Sequence, residues 1–170
     1  MILPAQTIRS LCVPVDDPLI EPFKERYTFA GVTGGLSPAG YDICLDQDIT
    51  LYPVTLWNLF CRRKSFTLAS SFERFNVPAD LIFTVMDKSS WARRGLTVQN
   101  TVAEPGWSGF LTLELCNHGD TVLKLKRCTP IAQVQFRRLE APTDQPYDGR
   151  YNKQKQGPQP AINVTGIRVL

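Results

Sequence analysis

The stretch Asp87–Leu115 reads DKSSWARRGLTVQNTVAEPGWSGFLTLEL, and its closing segment decides the fold class. Leu111, Leu113 and Leu115 fall on one side of a two-residue period, and Phe110, Thr112, Glu114 and Cys116 fall on the other. That alternation predicts a half-buried strand over 109–116, with the leucine face in the core. Glu104-Pro105-Gly106 supplies a turn before it. Asn117-His118-Gly119-Asp120 follows, and its composition suits a hairpin into a strand over 121–126.

Outward from this strand, the chain from Gly40 onward breaks into short Phe-, Val-, Ile-, Leu- and Thr-rich segments punctuated by Pro, Gly, Asn and Asp. Further strands are predicted over 41–46, 65–72, 81–86 and 131–139, which together indicate an all-β sandwich or barrel. One helix is predicted over 4–12, with Pro4 in its first turn and Ile8, Leu11 and Cys12 on one face. A chain of 170 residues suits one domain, and no internal repeat is visible. The β-domain is expected to span 1–140. After Glu140 the chain becomes APTDQPYDGRYNKQKQGPQPAINV, too polar and Pro-rich to build a core. It reads either as a frayed terminus or as a lid over 141–170, and Tyr147 and Tyr151 favour a segment that orders over a ligand.

Composition narrows the function. A formal net charge of +3 is too small to mark a nucleic-acid surface, although anionic small ligands remain open. Arg62-Arg63-Lys64 is the one tight basic run and reads as a solvated loop. No apolar run approaches the roughly 20 residues of a membrane helix, so no membrane association is expected. MILPAQTIRSLC shows no secretory signal, and a cytoplasmic location is expected. On that expectation the glycosylation pattern Asn163-Val164-Thr165 carries no weight. Five widely spaced cysteines without a CxxC pair argue against a disulfide framework and a zinc cluster, and favour buried free thiols.

Zinc-dependent base deaminases need H-x-E and P-C-x-x-C signatures, which this chain lacks. Its single histidine, His118, sits in a turn and reads as solvent-exposed, and no Ser-His-Asp plan can be drawn around it. Glu114 remains the best general base, ionised at neutral pH and able to take a proton from water. On pattern alone, the polar side of a half-exposed strand accounts for it better.

Several motifs taken together change that balance. Lys88-Ser89-Ser90-x-Ala92-Arg93-x-Gly95-Leu96, then Pro105-Gly106-Trp107-x-Gly109, then Thr112-Leu113-Glu114-Leu115 resemble the dCTP deaminase branch of the trimeric dUTPase superfamily. Ala39-Gly40-Tyr41-Asp42 is similar to the superfamily's first motif, although alone it reads equally well as a turn entering a strand. Ile131-Ala132-Gln133 resembles a later motif. Pro146-Tyr147, Arg150-Tyr151, Gln154 and Gly157-Pro158 resemble the family's lid, with Arg150 in place of a lysine. The likeness extends over nearly the whole chain.

The resemblance implies a distorted jelly-roll barrel of the dUTPase type, a homotrimer with sites between subunits, and deamination of dCTP without a catalytic metal. Glu114 would activate water for attack on carbon 4 of cytosine and pass protons to the leaving ammonia. Ser89 would hold the water, and Arg93 would support Glu114, although Arg93 read alone could simply pair with a carboxylate. Lys88, Ser90, Gln133, Tyr147, Arg150 and Gln154 would bind the substrate, largely through its phosphates, with Mg2+ carried on the triphosphate and no zinc. Asn100, Thr101 and Val102 would form the base-pocket loop, including a water-binding backbone carbonyl. Glu104 would lie near the sugar. Trp107 is read as packing.

Three departures stand out. The segment between Arg93 and Pro105 is slightly shorter than in the family, and Glu104 stands where the family has Asp before Pro-Gly. Lys88 replaces the Arg of monofunctional deaminases. A dUTPase, a bifunctional enzyme yielding dUMP and diphosphate, and a non-catalytic nucleotide sensor therefore stay open, as does inhibition by dTTP.

Overall fold

The computed structural model describes residues 1–99 and 101–162, and its order follows the alternation just described. Helix α1 (Ala5–Ser10) leads into strands β1 (Ile20–Glu21), β2 (Tyr27–Phe29), β3 (Val32–Ser37), β4 (Gly40–Cys44) and β5 (Ile49–Leu51). Helix α2 (Leu56–Phe60) precedes β6 (Phe66–Asn76) and β7 (Leu81–Asp87), and α3 (Ser89–Ala92) precedes β8 (Leu96–Val98) and β9 (Val102–Ala103). The long strand β10 (Ser108–Asn117), β11 (Leu123–Leu125) and β12 (Pro130–Arg138) complete the barrel.

The strands form a six-stranded sheet, β2-β3-β4-β12-β7-β9, a four-stranded sheet, β1-β6-β10-β8, and the pair β11-β5. The two larger sheets meet through aromatic rings. Phe75 of β6 lies 4.9 Å between centroids from Phe83 of β7, which lies 5.4 Å from Phe136 of β12. Trp107 meets Phe83 edge-on at 6.2 Å and carries this cluster to the start of β10. Leu111, Leu113 and Leu115 are buried as their alternation requires. This is an all-β jelly-roll arrangement.

Helix α1 is shorter than the predicted 4–12, because Leu11 already serves as its C-cap. Pro4 lies just before the first turn, where its missing N–H costs nothing, and its carbonyl accepts from Thr7 and Ile8. Ile8 and Cys12 are buried, and Leu11 packs partly buried against the core.

The hairpin expected from β10 into 121–126 does not form. β10 pairs with β6 and β8, whereas β11 pairs with β5. Asn117, fully buried, causes the change of direction: its Oδ1 accepts from Gly119 N at 3.0 Å, and its Nδ2 donates to Leu51 O and Thr121 O at 3.2 and 2.8 Å. Such a side chain offers the backbone an alternative to ladder pairing and steers the chain to the other sheet.

The predicted strands also omit β1, β2, β3, β5, β8 and β9, and the two short helices α2 and α3. β3 runs through Gly34-Gly35, and glycines in a strand interior weaken its sequence signal. Gly34 is needed in the strand, because a Cβ there would lie 2.5 Å from the Tyr27 ring. The five cysteines are all free, but only Cys12 and Cys44 are buried, and Cys61 is exposed. His118 is exposed, as its turn implies.

Candidate active site

Glu114 lies near the C-terminal end of β10, opposite Leu68 of β6. Beside it opens a cavity of about 590 Å³ between β6, the β9 region, β10 and the C-terminal segment. Phe66, Leu68, Trp107 and Leu111 give the cavity apolar walls, while Thr101, Thr112, Glu104, Glu114, Tyr147 and Gln154 supply its polar groups. No Lys or Arg lines it among the described residues. Such a lining suits a planar, partly apolar, uncharged ring better than a phosphate. Partial burial of the Glu114 carboxyl raises its pKa above the ordinary 4.5. A carboxylate with raised pKa is a better proton acceptor than one in bulk water.

The turn that enters β10 has the type II signature, with Pro105 followed by Gly106 at a φ of +86° and Trp107 N donating to Glu104 O at 3.0 Å. This turn also seats the tail. Tyr147 N donates to Pro105 O at 2.7 Å, and Trp107 Nε1 donates to Tyr151 O at 2.6 Å. Further along, Lys153 N donates to Ser108 O and Phe110 N donates to Gln154 O, so Gln154 forms a parallel bridge with Gly109. Gly157 N and Gln159 N then bond to Ser70 Oγ and Thr112 Oγ1 at 3.2 and 3.0 Å. Residues 143–159 are thus tied to the barrel, and Tyr147, Tyr151, Gln154 and Gln159 wall the cavity.

Gly109 is the tightest point of that seat, with φ +129° and an added Cβ only 2.5 Å from Gln154 N. Gly109→Ala adds backbone strain of about 1–3 kcal/mol and expels Gln154. Limited trypsinolysis of the folded protein should therefore cleave after Arg150 and Lys153 roughly tenfold faster or more, because cleavage follows the population of the open tail. Unchanged cleavage would show that the tail does not depend on this contact.

A second polar cluster lies on the six-stranded sheet. Lys88, the N-cap of α3, is buried, and its Nζ lies 2.6 Å from Asp42 Oδ2. Gln133 Nε2 donates to Asp42 Oδ1 at 3.2 Å and to Ser37 Oγ at 3.3 Å. Ser89, Ser90 and Arg93 are exposed on and just after α3.

The predicted site residues therefore divide. Glu114, Thr101, Val102, Glu104, Tyr147 and Gln154 share the cavity. Lys88, Ser89, Ser90, Arg93 and Gln133 do not line it in the single chain. Arg150 lies with Lys153 and Lys155 at a shallower pocket that shares Tyr151, Gln154 and Gln159 with the first. Asn100 lies outside the described residues, as does Asn163-Val164-Thr165. The Thr101 carbonyl accepts from Val85 N at 2.9 Å and is thus engaged in the sheet.

Sequence reasoning missed Phe66, Leu68, Leu111, Thr112 and Gln159 as cavity residues, along with the link of Asp42 to Lys88. Thr112 was findable, since it shares the polar face of β10 with Glu114. Phe66 and Leu68 depended on the β6–β10 register, which no local pattern reveals.

Among the described residues no group of three His, Cys, Asp or Glu side chains is placed to hold a metal ion. No helix among them is long and apolar enough to cross a membrane.

Comparison with known proteins fits this geometry. A family model described as dCTP deaminase-like matches residues 57–139. The dCTP deaminase of Thermococcus kodakarensis is 32% identical over 160 residues, covering 91% of this chain and 94% of that protein. That of Campylobacter jejuni subsp. doylei is 31% identical over 172 residues, covering 89% and 90%. In fold, the chain is similar to a dUTPase mutant from phage phi11 of S. aureus, with a TM-score of 0.52 and 12% identity over 77% of this chain and 94% of that one. With relatives 31–32% identical over almost the full length, the chain belongs to the dCTP deaminase family.

Proposed function

We propose that the protein deaminates dCTP to dUTP and ammonia, with Glu114 as base and proton shuttle. The observation that carries this reading is the half-buried Glu114 carboxyl in a cavity with no lining cation among the described residues, in a chain of this family. Glu114 takes one proton from water, and the hydroxide forms a C–O bond at carbon 4 of cytosine. The Glu114 proton passes to ring nitrogen 3, and the remaining hydroxyl proton passes to the exocyclic amino nitrogen as its bond to carbon 4 breaks. Ammonia leaves, and the carbonyl of uracil remains. No outside oxidant or reductant is needed.

Ser89 and Arg93 act on water and on the developing charge, and being exposed away from this cavity they serve the site of a neighbouring copy in a homotrimer. Ser90, Arg150, Tyr147 and Gln154 meet the triphosphate, which brings Mg2+ as part of the substrate. Glu104 lies near the deoxyribose, with Thr101 and Val102 by the base. dTTP, with the same sugar and triphosphate, competes for the site, and a cytoplasmic location suits such ligands.

The test is incubation with Mg2+ and dCTP, assaying ammonia while separating nucleotides by anion exchange. Ammonia with dUTP is expected. Ammonia with dUMP and diphosphate would make the enzyme bifunctional. Turnover of dUTP alone would make it a dUTPase, and binding without conversion would make it a sensor.

A further inference from the structure

Lys88 opens the Lys-Ser-Ser stretch, and a phosphate ligand at that position needs a free ammonium. Its ammonium is instead enclosed by the protein. The Lys88 and Asp42 side chains are only 9% and 6% exposed at a separation of 2.6 Å, and Lys88 Nζ also donates to Thr33 Oγ1 at 3.1 Å. The far oxygen of Asp42 is engaged by Gln133, which is tied in turn to Ser37. Thr33 and Ser37 lie on β3, Asp42 on β4 and Gln133 on β12, three neighbouring strands of one sheet.

Lys88 is therefore clamped to this sheet at the start of α3. Trp91, in the same short helix, is also buried, and its Nε1 donates to Pro130 O at the start of β12 at 2.7 Å. Ser89 and Ser90 stand exposed between these two anchors. A buried ion pair of this kind contributes little net stability, but losing one partner strands a buried charge, so its natural use is to fix geometry.

We infer that Asp42, Lys88 and Gln133 are positioning residues that fix α3 and so set how Ser89, Ser90 and Arg93 meet the reacting nucleotide, and that the phosphates are met by residues other than Lys88. The kinetic side of this inference rests on the proposed deamination; the structural side does not.

The test compares the native full chain with K88M, D42N and D42N/K88M. Hydrogen exchange of peptides covering 88–94, without nucleotide, should quicken about tenfold or more in both single variants, with the double no faster than the faster single. Exchange unchanged in both singles would overturn the inference. In dCTP turnover, kcat should fall about tenfold in both singles with KM within about threefold, again non-additively in the double. A tenfold rise of KM in K88M with D42N unaffected would make Lys88 a phosphate ligand and overturn it. Where K88M fails to fold, D42N carries both readings by itself. Absence of ammonia from native protein would sink the deaminase reading alone, and the exchange data would still decide the clamp.

Discussion

Glu114→Gln stops ammonia release from dCTP, lowering kcat by about 10²–10⁴-fold, the range that a general base ordinarily supplies. Gln has the same shape, and β10 is held on both sides by β6 and β8, so the cavity keeps its form. Nucleotide binding should therefore stay within about threefold, which separates a lost proton acceptor from a lost ligand. The same variant tests the placing of Ser89 and Arg93. Co-expressed E114Q and R93A chains, each inactive alone, should regain roughly a quarter of native activity on random mixing into trimers whose sites pair Glu114 of one copy with Arg93 of another. No recovery would place both residues in one chain's site, and native-like kcat in E114Q would remove Glu114 from the chemistry.

The second large effect is on stability and centres on Glu73, which is 2% exposed in the core. It reaches the interior through a break in β6, where the β6–β10 register shifts between Phe110 and Thr112. There Leu111 N donates to Ser71 Oγ, which donates to Glu73 O. The Glu73 carboxyl accepts Cys44 N at 2.9 Å. Burial pushes its pKa from 4.5 up to about 7, and the hydrogen bond from Cys44 N offsets only part of that rise. Because the folded protein holds this proton more tightly than the unfolded chain, the stabilisation is complete below 4.5 and is lost as pH rises through about 7. At about 1.4 kcal/mol per pH unit, the loss amounts to about 3 kcal/mol. Urea unfolding at fixed protein concentration should show the native protein weakening by this order between pH 5 and 8.5. Glu73→Gln should flatten that dependence and be the more stable protein at pH 8.5. Parallel pH profiles for the two proteins would show that Glu73 does not set it.

What the sequence revealed follows the range of the forces involved. β10 was legible because its alternation and its Pro-Gly turn are local; that alternation only put Glu114 on the polar side, and the family resemblance of the surrounding motifs singled it out. β3 was not legible, since the reason for Gly34 is the Tyr27 ring on a neighbouring strand. The turn after β10 misled because Asn117, a residue common in hairpins, spends its side chain on Leu51 and Thr121. Lys88 carried the same ambiguity within the site: a cation beside two serines suggests phosphate, and only the arrival of Asp42 from another strand shows where its charge is engaged.

The seating of the C-terminal segment has a consequence for how this protein can change over evolutionary time. Pro105, Ser108, Phe110, Tyr147, Lys153 and Gln154 contribute main-chain atoms to that seat, and these are the same whatever the side chain. The segment works as a rail: at these positions its alignment against β10 does not depend on the side chain, whereas Gly106 and Gly109 leave no room for a Cβ and Trp107, Ser70 and Thr112 add side-chain bonds. Variation in what the cavity accepts can accumulate along this rail while the barrel beneath it stays unaltered.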